Sequence, residues 1–174
     1  YNSNKFLPFS KKETILPTNN VLRILQEKTK DARVFGLGQA NLKTNLSTHF
    51  RIYDPNYYDP LHIKRYAQLI YFANTGKILS VLPRSDIEII SEATPSADIN
   101  YRRNRLFDLL SVKYLLYKKE EFNRNNINGA RIIWQNTQWI LMQRSEFLPK
   151  VYLVNSFEIK NNDNQILNRL FDSS

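Results

Sequence analysis

The sequence predicts an α+β fold in which helices pack on a mixed, largely antiparallel sheet. Two observations predict it: amphipathic helical patterns recur at the start, middle and end of the chain, and apolar strand patterns cluster in its last third. The chain has 174 residues, of which 42% are apolar, so it is long enough to enclose one core. We therefore expect residues 1–174 to form a single domain, with a terminal helix in residues 161–174.

A helix and two short strands are predicted in the first third of the chain. Residues 16–31 contain a Thr-Asn-Asn start, and the apolar side chains that follow recur at spacings of three and four. Residues 33–38 read as a short buried strand that two glycines close. In residues 46–54, Phe50 and Ile52 alternate with more polar neighbours, and this alternation predicts a second strand.

The stretch NYYDPLHIKRY (residues 56–66) predicts the start of the next helix. Asp59 can accept hydrogen bonds from backbone N–H groups at a helix start, and Pro60 suits the first helical position. Apolar side chains then recur with helical spacing until Gly76, which suits a left-handed helix stop. We therefore predict a capped amphipathic helix that begins directly after Asp59.

The remaining elements are predicted from alternating apolar patterns, helical spacing and turn-rich loops. A leucine-rich helix is expected to run directly into a β-rich strand, and both belong to the core. Further strand patterns near the end of the chain indicate a meander. The predicted elements are a strand at 86–90, a helix-to-strand segment at 102–119, strands at 131–135, 138–144 and 150–159, and a helix at 162–171.

The chain is basic, with 25 lysines and arginines, 16 acidic residues and a formal net charge of +9. A basic balance favours anionic partners such as nucleic acids, phospholipid headgroups or phosphorylated substrates, but a solvated surface gives the same composition. The basic residues are scattered, and the densest group lies in residues 101–105. No apolar run approaches the ~20 residues with which a helix crosses a bilayer.

Composition and motifs exclude several kinds of site. The chain lacks cysteine, which excludes disulfides, thiolate metal ligands and a cysteine nucleophile. Its two histidines, His49 and His62, stand at no metal-binding spacing, so we expect no metal site and no cofactor. The sequence also lacks a nucleophile elbow and a phosphate-binding glycine loop. A glycosylation-type triplet stands at residues 45–47, a pattern that is frequent by chance.

Two other kinds of site stay open from the residues alone. A nucleic-acid surface combines basic with aromatic residues, as residues 101–107 do, although their aromatic and leucine side chains stand at core spacing. A glycan hydrolase needs two carboxylates that flank the scissile bond, and the sequence alone brings no such pair together. The carboxylates available for that role are Asp54, Asp59, Asp86 and Glu88.

Three segments, in this order, carry a resemblance to a known family: residues 16–66, 106–117 and 131–154. They include a Pro-Thr helix start, the strand RVFGLG, the turn YDPL with a following Arg-Tyr pair, and the stretches LFDLLSVKYLL and FLPKVYLV. In these features the chain resembles the soluble extracytoplasmic region of YfhO-like bacterial membrane proteins, which are multi-spanning and related to GT-C glycosyltransferases. It departs from the family pattern where Lys113 and Lys150 replace arginines.

The resemblance implies a parent protein that transfers sugars from a polyprenyl-phosphate carrier at the outer face of a bacterial membrane. It places the catalytic carboxylate in a loop beside the first membrane helices, outside these residues. The chain would then be a non-catalytic extracytoplasmic domain. Its partners would be the membrane-embedded remainder of its own polypeptide and a polyprenyl-phosphate sugar or cell-envelope glycan, and a nucleic acid is not expected.

The resemblance also selects candidate ligand-binding residues, because tyrosine rings pack on sugar faces and arginine forks suit phosphate oxygens. The candidates are Tyr57, Tyr58, Asp59, Arg65 and Arg103. Capping and periodicity account for Asp59 but not for the two tyrosines or Arg65. A structural alternative is that Arg65 ties its helix to an acidic residue of a neighbouring loop. The alternatives from other functional classes are a basic nucleic-acid-binding module and a glycan hydrolase.

Overall fold

The computed structural model describes most of the chain as a set of short helices and strands. The described residues are 18–42, 45–59, 61, 63–79, 81, 86–92, 94–122 and 129–172. The helices are α1 (Asn20–Lys28), α2 (Leu46–His49), α3 (Lys64–Thr75), α4 (Ala97–Leu109) and α5 (Asp163–Leu170). The strands are β1 (Arg33–Gly36), β2 (Tyr57–Tyr58), β3 (Asp86–Ile87), β4 (Val112–Lys118), β5 (Ala130–Gln135) and β6 (Trp139–Arg144).

The main sheet has four strands in the order β1-β4-β6-β5. β1 runs parallel to β4, and the other two pairs are antiparallel. The short strands β2 and β3 form a separate antiparallel ribbon. The predicted α+β class, with helices packed on a mixed and largely antiparallel sheet, is confirmed.

The side chains of the main sheet alternate between two apolar layers, as the two-residue period of a strand requires. Phe35 and Leu115 point into a layer with α3, α4 and α5, where the rings of Phe35 and Phe107 lie 4.8 Å apart. Val34 and Leu116 point into the opposite layer, which contains α1 and the buried residues of the 46–54 segment. The sheet therefore has a core on each face, which explains why its central strands are apolar throughout.

Side-chain caps fix most helix starts. Asn19 accepts a hydrogen bond from the N–H of Leu22 (2.9 Å) at α1, and Asn162 accepts one from Gln165 (2.9 Å) at α5. Each such cap contributes about 1 kcal/mol to helix stability. Gly76 ends α3 in the left-handed conformation, as predicted (φ 69°).

The strand predicted at residues 46–54 is wrong. Residues 46–49 form the short helix α2, and Asn45 (φ 65°) and Arg51 (φ 54°) adopt left-handed conformations that interrupt an extended run. Phe50 and Ile52 are nevertheless buried. The alternation therefore predicted which side chains face the core, but a turn between helix and loop produces the same alternation as a strand.

The predicted helix start after Asp59 is also wrong, because α3 begins at Lys64. The Asp59 carboxylate accepts a hydrogen bond from the N–H of Leu61 (2.8 Å), which is a local turn rather than a helix cap. Pro60 lies outside the described residues. An aspartate carboxylate accepts a hydrogen bond from a nearby backbone N–H both in this local turn and in a helix cap. The sequence pattern therefore did not distinguish the turn from the cap.

Residues 150–159, predicted as the last strand of the meander, form no strand and are exposed. The strand at 86–90 is shorter than predicted and contains Asp86–Ile87 alone. The helix and strand of residues 102–119, the strands at 131–135 and 138–144, and the terminal helix are all present. None of the helices in the described part of the chain is both long and apolar enough to cross a membrane.

Candidate functional site

The strand β2 is held in place by an asparagine thirteen residues away. The Asn45 amide donates to the carbonyl oxygen of Tyr58 (2.9 Å) and its oxygen accepts from the N–H of Tyr58 (3.3 Å). On its other side, β2 pairs with Asp86–Ile87. The glycosylation-type triplet thus has a structural use, because the Asn45 amide is engaged and Ser47 is buried.

A buried asparagine anchors the chain just before β2. The Asn56 side chain donates to the Asn41 side chain (3.2 Å) and accepts from the N–H of Ile89 (3.1 Å). The next anchor is Tyr66 of α3, whose hydroxyl donates to the carbonyl oxygen of Pro55 (2.6 Å). The backbone on both sides of residues 58–65 is therefore fixed by hydrogen bonds.

The residues between these anchors form a surface that we call the 58–65 surface. It contains one exposed side chain at the end of β2 and three beyond it: Tyr58 (47% exposed), Leu61 (89%), Ile63 (73%) and Arg65. The guanidinium of Arg65 makes no hydrogen bond or ion pair with any described residue, so the alternative that it ties α3 to a loop acid has no support here. Asp59 is exposed at the turn within this surface.

Three of the five sequence candidates, Tyr58, Asp59 and Arg65, are thus brought into one exposed stretch. The backbone of Tyr57 belongs to β2, and its side chain lies outside the described part of the structure. Arg103 differs from the other four because its donors point to the loop before α4. Its guanidinium donates to the carbonyl oxygens of Glu92 (2.8 Å) and Ile90 (3.2 Å).

The environment of Arg103 is that of a structural residue. It also donates to the Asn100 side chain (2.8 Å), and burial lowers the pKa of its guanidinium while the nearby Tyr117 and Glu92 oppose this shift. Its Nε atom is buried without a hydrogen-bond partner among the described residues. A guanidinium that is already directed at protein carbonyls offers few donors to an outside phosphate.

The other arginines of the densest basic group act in the same way. Arg102 donates to the carbonyl oxygen of Ala73 (3.2 Å) and Arg105 to that of Leu170 (2.9 Å). They attach α4 to the end of α3 and to α5, respectively. Each arginine of residues 101–107 is thus held by a carbonyl oxygen of the chain, which disfavours the interpretation of this group as a nucleic-acid surface.

Asp54 is a buried acid two residues before Asn56 in the chain. Burial raises its pKa to about 7, the N–H of Asn56 (2.8 Å from Oδ1) opposes the shift, and the charge of Glu88 adds to it. The other carboxylate oxygen, Oδ2, is buried and has no hydrogen-bond partner among the described residues. The charge of Glu88 thus acts on Asp54, but Oδ2 of Asp54 is closed to any substrate.

Sequence reasoning did not recognise Asp54 as special. The available signal was the Asp-Pro-Asn turn, since aspartate often accepts from the N–H two residues later. Its burial, however, depends on the segment around Ile89, which is distant in sequence. Within the part of the chain that the structure describes, no group of three or more histidine, aspartate or glutamate side chains could hold a metal ion.

Comparison with known proteins adds no identification, because no family model, no curated protein and no solved structure matches the chain. The resemblance to YfhO-like membrane proteins remains a prediction from the sequence motifs.

Proposed function

We propose that the chain is a non-catalytic extracytoplasmic domain of a multi-spanning membrane protein related to GT-C glycosyltransferases. Its role is to help that protein bind a lipid-linked sugar or the acceptor. The single observation that supports this proposal best is the 58–65 surface, on which Tyr58, Leu61, Ile63 and Arg65 are exposed together.

The 58–65 surface combines the three chemistries that a polyprenyl-phosphate sugar presents. The half-exposed ring of Tyr58 suits the apolar face of a sugar. The guanidinium of Arg65, which has no acceptor among the described residues, suits phosphate oxygens. The exposed side chains of Leu61 and Ile63 suit the hydrocarbon of the carrier or the bilayer surface around it.

Hydrogen bonds hold the chain at both ends of this surface. Asn45 holds Tyr58 at one end, and the Tyr66 hydroxyl, at the other end, is bonded to the carbonyl oxygen of Pro55. A segment whose ends are held loses less conformational entropy on binding than a free one, so its side chains contribute more of their contact energy to affinity.

The test is binding of the chain to phosphatidylcholine vesicles that contain a polyprenyl phosphate. We expect co-sedimentation with these vesicles and weaker binding to vesicles in which a two-chain phosphate lipid supplies the same charge. Arg65→Ala removes the proposed phosphate ligand and should weaken binding roughly tenfold. The matched control is Arg23→Ala, an exposed arginine of α1, which should leave the affinity unchanged.

Two results of the binding test would contradict this proposal. The first is equal binding to both vesicle types, which would reduce the interaction to general charge attraction by a basic chain. The second is an equal effect of the Arg65 and Arg23 variants. Transferase turnover by the isolated chain would contradict the non-catalytic role, and a reading frame without about ten apolar spans outside these residues would contradict the membrane parent.

A further inference from the structure

The strongest unexplained surface is the segment at residues 151–159, which leaves β6 and leads to α5. Its apolar side chains are exposed to an extent unusual for a folded protein. The exposed fractions are 87% for Val151, 51% for Tyr152, 97% for Leu153, 67% for Val154, 83% for Phe157 and 81% for Ile159. No backbone N–H or C=O of this segment is hydrogen-bonded to any other described residue.

The combination of free backbone groups and apolar side chains indicates that the binding partner of this segment is another β-strand. Unpaired backbone groups in a row are a template for strand addition. A bilayer is disfavoured as the occupant, because hydrocarbon cannot satisfy these N–H and C=O groups. The occupant must therefore offer both a hydrogen-bonding strand edge and apolar side chains.

The segment is complementary to itself. Four of its most exposed apolar residues occupy odd positions, symmetrically about Asn155. In an antiparallel pair centred on Asn155, Val151 of one copy lies opposite Ile159 of the other, and Leu153 lies opposite Phe157. Cross-strand pairs of aromatic and β-branched or aliphatic side chains are among the favourable ones in antiparallel sheets.

We propose that the 151–159 segment pairs with the same segment of a second copy, forming an antiparallel two-stranded junction around a two-fold axis at Asn155. The backbone bends at Asn155 in the single chain, so the segment would have to straighten on pairing. No hydrogen bond to another described residue has to break, because the backbone groups of the segment make none. This inference is independent of the proposed function.

Charge opposes this pairing only weakly. The lysines at its two ends would face each other, but each has a partner within its own chain. Lys160 lies 2.8 Å from the Glu158 carboxylate, and the ammonium group of Lys150 lies 4.0 Å from the centre of the Tyr53 ring. Contact between two nine-residue segments is small beside the ~800 Å² per partner of a standard specific interface, so we expect a weak dimer.

A cysteine placed on the proposed axis gives the sharpest test, because the native chain has no cysteine. Asn155→Cys should form a disulfide-linked dimer under mild oxidation, since directly opposed residues of an antiparallel pair have the Cα separation that a disulfide needs. Leu153→Cys is the control for the register. In the proposed pair, Leu153 of one copy lies opposite Phe157 of the other and is therefore four positions from the second Leu153. Thr137→Cys, in the exposed turn between β5 and β6, controls for random collision.

We expect Asn155→Cys to cross-link at least tenfold faster than either control, and equal rates would overturn the proposal. Sedimentation of the unmodified chain supplies a second measurement. Its average mass should rise with concentration, and Leu153→Glu combined with Phe157→Glu should abolish this rise, whereas Val81→Glu, at another exposed apolar position, should not. A chain that stays monomeric, or a dimer that survives the double substitution, would also overturn it.

Discussion

Asn45 and Tyr58 are joined by two hydrogen bonds, one in each direction, between a side-chain amide and a backbone peptide group. This pair fixes the start of the 58–65 surface on the main body of the protein. Asn45 adopts a left-handed backbone conformation (φ 65°), which asparagine tolerates better than most residues. Its two roles, in backbone conformation and in hydrogen bonding, can be separated by substitution.

Replacing Asn45 should destabilise the fold in two distinguishable steps. Asn45→Gly keeps the left-handed conformation accessible but removes both hydrogen bonds, at a cost of about 1–2 kcal/mol. Asn45→Ala adds the strain of a left-handed alanine, about 1 kcal/mol more. Chemical denaturation measures both values. An alanine variant as stable as the glycine variant would mean that the backbone conformation at this position is not required.

The buried carboxyl of Asp54 should make the stability depend on pH. Its folded-state pKa of about 7 exceeds the ordinary value of 3.8, so the folded state binds more protons than the unfolded state between these values. The free energy of unfolding should therefore fall as the pH rises from about 4 to 7, by an amount on the order of 4 kcal/mol. Unfolding at a series of pH values measures this slope.

Asp54→Asn keeps the oxygen that accepts from Asn56 but cannot ionise, so it should flatten this pH dependence and stabilise the protein at pH 8. Asp31→Asn, which changes an exposed carboxylate, should leave the slope in place. An unchanged slope in the Asp54 variant would show that the Asp54 carboxyl titrates at the same pH in the folded and unfolded states.

Arg103 should matter for stability and not for ligand binding. Arg103→Met keeps the apolar part of the side chain but removes the hydrogen bonds to Ile90, Glu92 and Asn100, at a cost of about 2 kcal/mol. Its affinity for polyprenyl-phosphate vesicles should match that of the unmodified chain. A lower affinity in a variant that remains folded would restore Arg103 to the binding residues.

The sequence signals that succeeded are those in which local chemistry and tertiary burial agree. Asn19 stands where both capping preference and the apolar pattern place a helix start, and Gly76 ends a helix because its conformation is accessible to glycine. The leucine-rich helix end and the strand β4 that follows it were predictable, because a strand that is buried on both faces is apolar along its length.

The signals that failed depend on contacts that are distant in sequence. The apolar alternation of residues 46–54 and 150–159 is equally compatible with a buried turn, an exposed segment and a strand, and only the partner of each backbone group decides between them. The Asn56 side chain likewise accepts from the N–H of Ile89, a contact that no local pattern encodes. The 58–65 surface was identified by its unusual residue types, although its helix start was misplaced.

Binding of a polyprenyl-phosphate headgroup to the 58–65 surface can be followed residue by residue with amide NMR during titration with a short-chain polyprenyl phosphate. We expect saturable shifts concentrated at Tyr58, Leu61, Ile63 and Arg65, with smaller shifts at Asn45, and a roughly tenfold higher half-saturation concentration in the Arg65→Ala variant. Shifts that are spread over the basic surface without saturation, or that are confined to other regions such as the 151–159 segment, would contradict it.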